Sequence, residues 1–108
     1  MKDRTGAVAV FITASSREEA VRLAEALVAE KLAACVNRVD GVSSVYWWKG
    51  KVERAEESLL IAKTRGDLVG KLIARVKELH SYTVPEVIVL PIKEGNPDYL
   101  KWIDEVTG

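Results

Sequence analysis

Along this chain the spacing of apolar residues changes period several times, and each change marks the edge of an element. Residues 7–14, AVAVFITA, are almost continuously apolar and β-branched, which predicts a strand buried on both faces. SSREEAVRLAEALVAEKL follows at helical spacing, with Ser16 and Glu19 as a capping box. Ala20, Ala24, Leu27 and Val28 continue its apolar stripe to about Leu32, and Glu18 and Arg22 make an i,i+4 pair on the solvent side. AACVNRVDGVSSVYWW and KVERAEESLLIAKT are strand-like runs that meet at Lys49 and Gly50, where glycine supplies the positive φ of a tight turn. Asp67 is the expected cap of a second helix that sets Val69, Leu72, Ile73, Val76, Leu79 and His80 along one face. EVIVLPI, residues 86–92, reads as another doubly buried strand, with Pro91 best tolerated at an edge or a bulge. Asn96 as cap and Pro97 at the first helical position open a short final helix with Tyr99, Trp102, Ile103 and Val106 on one side.

Strand, helix, strand, strand, helix, strand and a C-terminal helix is the order of an α+β, ferredoxin-like βαββαβ sandwich with an extended β-hairpin. A chain of 108 residues holds it as a single domain over 1–108. The hairpin is long for such a domain. Residues 34–48, if extended, span about 50 Å at 3.3 Å per residue, against about 35 Å for a compact chain of this size. The hairpin should therefore overhang its sheet, even with a bend at Gly41. Near its tip stand Tyr46, Trp47 and Trp48, which point alternately to opposite faces, so one face of a ribbon cannot hide all three. Either a second copy of the chain covers them, predicting a closed homo-oligomer, or they pack on the terminal helix through Trp102.

Composition narrows the partners. Sixteen basic and sixteen acidic residues cancel, which leaves no bulk positive field for nucleic acid. The third strand, ESLLIAK, also lacks the aromatics with which the same sandwich reads RNA. The lone Cys35 forms neither a disulfide nor a C-x-x-C motif, which points to the cytosol, and no segment reads as a membrane span or export signal. G-x-S-x-G, H-E-x-x-H and glycine-rich phosphate loops are all absent, and hydrolase chemistry is disfavoured.

Five stretches in order, KLAACVN, YWWKGKVE, Lys63 with Thr64, HSYTVPE and YLKWI, resemble the divalent-cation tolerance protein CutA family over residues 8–103. The resemblance implies a ferredoxin-like homotrimer whose hairpins reach onto neighbouring subunits, similar to the PII signalling proteins. It implies a non-enzymatic protein linked to tolerance of copper and other divalent cations, with metal binding in some members. The motif residues carried over are Cys35, Asn37, Tyr46, Trp48, Gly50, Lys63, Thr64, His80, Tyr82, Pro85 and Glu86. Ser81 stands where the family commonly has proline and Thr83 where an acidic residue is frequent. Ile12 and Leu79 occupy positions where copper-binding members can place soft or imidazole ligands.

The candidate metal set is His80, Cys35 and Glu86, for copper or zinc, and the candidate ligand cleft is Lys63, Tyr82 and Trp48; no residue is assigned a catalytic role. For His80 the main readings are an imidazole closing a helix C-terminus or a ligand at a subunit cleft; a general base is the minor one, since no nucleophile motif or second histidine accompanies it. Cys35 is a small buried hydrophobe or a thiolate for Cu(I). Lys63 ends an apolar strand and either pairs with Glu86 or receives an anion. The expected function is a homotrimeric, non-enzymatic binding protein for divalent-cation response, with a PII-like trimer binding a small anionic effector at its clefts as the alternative.

Overall fold

The computed structural model describes residues 6–108. The first apolar run forms strand β1 (Ala7–Ala14), but its burial alternates: Val8, Val10, Ile12 and Ala14 are buried while Ala7, Ala9, Phe11 and Thr13 are half-buried. The expectation of a strand buried on both faces is thereby corrected, because two helices cover only one face of the sheet. Helix α1 (Arg17–Ala29) starts at Ser16, whose Oγ accepts from Glu19 N–H. It ends through Lys31, at φ 60°, with Leu32 N–H donating back to Leu27 O at 2.9 Å. That left-handed close, made without glycine, swings Ala33 into the core.

Strands β2 (Cys35–Trp48) and β3 (Lys51–Arg65) form the long hairpin. Lys49 and Gly50 both have positive φ, 50° and 79°, as a two-residue type I′ turn requires. Asp40 and Gly41 together oppose the single Ser58, a β-bulge in which Gly41 takes φ 74°. Ser58 Oγ–H donates to Asp40 Oδ1 across it at 2.8 Å, and Arg38 Nε donates from the other side at 3.0 Å. These two hydrogen bonds hold the Asp40 carboxyl below its ordinary range.

A 3-10 turn (Gly66–Leu68) precedes α2 (Val69–Leu79). Asp67 does not cap this helix as expected: it lies inside the turn, with Oδ1 3.4 Å from Arg65 Nε. Leu72 and Val76 are buried and Leu79 is exposed. Strand β4 (Val87–Pro91) is an edge strand in the order β2-β3-β1-β4, which suits Pro91. It is not doubly buried: Ile88, Val89 and Leu90 are exposed in the single chain. Helix α3 (Pro97–Thr107), capped by Asn96 as expected, closes the chain.

The sheet is antiparallel throughout. Its β1 and β3 residues Val10, Ile12, Leu60 and Ala62 meet Leu23 and Leu27 of α1 and Leu72 and Val76 of α2, in one continuous core. On the opposite face Arg65 Nη2 donates to Thr107 O of α3, and Tyr99 reaches Cys35. Residues 42–48 of β2 and 51–57 of β3 pair only with each other, forming a two-stranded ribbon beyond β1. The molecule accordingly measures 45 × 25 × 23 Å with a radius of gyration of 14.4 Å, longer than a compact chain of this size. The overhang anticipated from strand length is present.

Candidate functional site

The site starts from a helix end. The chain leaves α2 at His80, whose ring is wholly buried against the end of β1. Nδ1 accepts Tyr82 N–H at 3.0 Å, so the proton sits on Nε2, which donates to Thr13 O at 2.7 Å. Both ring nitrogens are thus spent on backbone groups. Beside the ring lies Glu19, 2% exposed, with Oε1 3.8 Å from Nδ1. Glu19 Oε1 accepts Ser15 N–H and the Ser15 hydroxyl, both at 2.9 Å, and Oε2 accepts Ser81 N–H at 2.7 Å. Burial acts to raise its pKa, but the Ser15 amide, Ser81 and the Ser15 hydroxyl outweigh it and bring the carboxyl down from 4.5 to about 2. Only the Ser16 half of the expected capping box forms: the Glu19 carboxylate takes Ser15 N–H rather than Ser16 N–H and ties the start of α1 to the segment after α2. Sequence spacing alone could not show that, since its partner Ser81 is 62 residues away.

Segment 81–86 is held in this way against β1, and the ribbon rises beside it. Between them lies a cavity of about 480 Å3 lined by Tyr46, Trp48, Glu57, Tyr82, Val84 and Glu86, among others. Tyr82 Oη–H donates to Glu57 Oε2 at 2.7 Å, while its ring lies 4.8 Å from that of His80. Burial, reinforced by the Glu57 carboxylate, pushes the Tyr82 phenol well above its ordinary value, so it stays a donor. The lining carries two carboxylates, Glu57 and Glu86, and no lysine, arginine or histidine.

Of the candidate residues, Tyr82, Trp48 and Glu86 come together in this cavity, and His80 sits beneath it. Lys63 does not join them. Its Nζ donates to Asn37 Oδ1 and, at 3.3 Å, to Ile61 O, so the expected pairing with Glu86 is not formed. Cys35 pairs with Lys63, which pairs with Ala9, four residues from Thr13 and about 13 Å along the strand. Its Sγ donates to Asn37 Oδ1 at 3.9 Å, and on its far side burial and the Cys35 contact raise the Tyr99 phenol. His80, Cys35 and Glu86 therefore do not form a metal set within one chain, and no group of three His, Cys, Asp or Glu side chains suited to a metal occurs among the described residues. Glu57 was marked by no motif and Glu19 only as part of a helix cap; both are charged residues in ordinary amphipathic patterns, and only burial marks their place beside the site. Among the described residues no helix is long and apolar enough to cross a membrane.

Trp47 and Trp48 do not pack on the terminal helix, since Trp102 lies on Tyr99 of α3, ring centroids 5.5 Å apart, while Trp47 and Trp48 face the cavity or solvent.

Known proteins share this sequence pattern and this fold. The family model described as CutA1 divalent ion tolerance protein matches residues 8–106. The Divalent-cation tolerance protein CutA of Thermus thermophilus is 54% identical over 92% of this chain and 96% of its own length. Protein CutA 1, chloroplastic, of Oryza sativa is 52% identical over 93% of this chain, which spans only 56% of that relative. The crystal structure of CutA1 from Oryza sativa superposes with a TM-score of 0.93 at 50% identity, covering 98% of both chains. By sequence and by fold, this chain belongs to the CutA1 divalent ion tolerance family.

Proposed function

We propose that this chain works as a homotrimer in the response to divalent cations, copper and zinc among them, by binding rather than by catalysis. The observation that carries the reading is a ribbon paired only with itself, flanking a cavity whose charged lining is wholly acidic. Unpaired edges and exposed aromatics of this kind are covered in folded proteins, and Trp47 is 74% exposed in the single chain. The exposed Ile88, Val89 and Leu90 on edge strand β4 offer a second uncovered surface on the same chain. In a ring, each ribbon would lie on the neighbouring subunit and the cavities would fall at the seams.

Glu86, exposed at the cavity mouth, is the residue proposed to meet the cation, with further ligands from a neighbouring subunit. His80 supports the site by fixing segment 81–86, and Cys35 lies apart from it. The lone cysteine supports residence in the reducing cytosol. The anion-binding alternative asks for a basic lining, and Lys63 faces Asn37 instead.

Sedimentation should return three times the chain mass, and titration with Cu(II) or Zn(II) should show binding weakened tenfold or more in Glu86→Gln. A concentration-independent monomer, or equal metal binding by wild type and Glu86→Gln, would overturn the reading.

A further inference from the structure

We infer that the cavity between the ribbon and segment 81–86 takes a small organic cation carrying a primary ammonium or a guanidinium group. This deepens the reading above and rests on it for the location of the site. Size comes first: about 480 Å3 is far more than a bare ion fills and lies among small-molecule sites. Charge comes second. Glu57 and Glu86 are the ionisable carboxylates of the lining, and nothing basic in it would attract an anion.

Glu57 supplies the specific feature. It is only 6% exposed, its Oε2 accepts the Tyr82 hydroxyl at 2.7 Å, and Oε1 is not among the buried polar atoms that lack a partner, which leaves it within reach of solvent in the cavity. An N–H donor entering the cavity would form a charge-assisted hydrogen bond to that oxygen, stronger than the one water gives it. The Tyr82 phenol, held protonated, keeps its donor on the other oxygen and leaves Oε1 to the incoming group. Aromatic faces come third. Tyr46 and Trp48 line the same space, and rings of this type attract cations through their quadrupoles. The chain's own Lys49 already holds its ammonium 5.8 Å from the Trp48 ring centroid, so this ring meets a cation in the free protein. Carboxylate, aromatic face and volume together suit an organic cation.

The test titrates the intact protein with benzylammonium, benzyl alcohol and benzoate at constant ionic strength, followed by calorimetry and tryptophan fluorescence. Benzylammonium should bind at least tenfold more tightly than benzyl alcohol, and benzoate most weakly. Glu57→Gln and Glu86→Gln should each weaken benzylammonium fivefold or more and leave benzyl alcohol unchanged. The glutamine at 57 retains an acceptor for Tyr82, and Glu86 is exposed, so the second variant stands if the first unfolds. Benzoate or benzyl alcohol binding as tightly as benzylammonium, or an unchanged benzylammonium affinity in a folded variant, would overturn the inference. Zinc alone, titrated in parallel, separates the two proposals. Benzylammonium binding without a zinc response removes the metal role and keeps this inference, and a zinc response without benzylammonium binding does the reverse.

Discussion

The two ends of this molecule solve burial differently. At the sandwich end, Ile12, Leu60, Leu72 and Val76 reach zero exposure because two helices close over one face of a four-stranded sheet. At the ribbon end, Val45, Trp47 and Val52 remain exposed because two strands have no third layer to lie against. The same hairpin belongs to both ends: up to the bulge at Asp40 and Gly41 its strands are part of the sheet, and past it they pair only with each other. Self-sufficiency thus ends at an identifiable residue pair. What lies beyond it is a two-stranded ribbon with large apolar side chains left in solvent in the single chain.

That contrast can be broken from the sandwich end first. Leu72→Ala removes a fully buried side chain and should cost about 2–5 kcal/mol, read from chemical denaturation. Next in size is the Glu19 anchor. Its folded-state pKa lies below the unfolded value, so its contribution is present above about pH 4.5 and is lost as the pH falls toward 2. At 1.36 kcal/mol per pH unit the shift corresponds to about 3 kcal/mol. Melting curves of the wild type should fall through that window, and those of Glu19→Gln should start lower and fall less. In the ribbon, Gly50→Ala forces a side chain into φ 79° and should cost about 1 kcal/mol, unless a glycine at Lys49, φ 50°, offsets it. The smallest effect on a single chain is Trp47→Ser, within about 0.5 kcal/mol because the indole is mostly in water. Yet this variant should reduce the sedimenting mass, which tests whether the ribbon is completed by another copy.

Much of the fold was legible because local chemistry and tertiary need agree there. Lys49 and Gly50 mark the turn, Ser16 and Asn96 mark helix starts, and Pro91 marks an edge, each by a backbone requirement that its own residue type meets. The end of α1 was less legible, since Lys31 takes a positive φ usually left to glycine. Asp67 misled because an acidic residue before a helix satisfies the capping pattern, whereas here a 3-10 turn intervenes and Arg65 is its neighbour. The apolar runs of β1 and β4 look alike, and only position in the sheet makes one half-covered and the other an exposed edge.

For the candidate site the division is sharper. Residues 80–86 and the aromatic tip stood out by type, and the cavity does bring Tyr82, Trp48 and Glu86 together. Lys63 and Cys35 stood out equally, and strand register carries them to another part of the sheet.

By itself the sequence determined the order and type of the elements, the length of the hairpin and the place of its turn, because those depend on period, caps and φ preferences within a few residues. Only the tertiary structure decided that His80 spends both nitrogens on backbone, that Glu19 holds Ser81, and that Glu57 turns toward Tyr82. Those outcomes depend on which distant groups share a buried space, and withdrawal from water is what makes a hydrogen-bond partner for each of them matter.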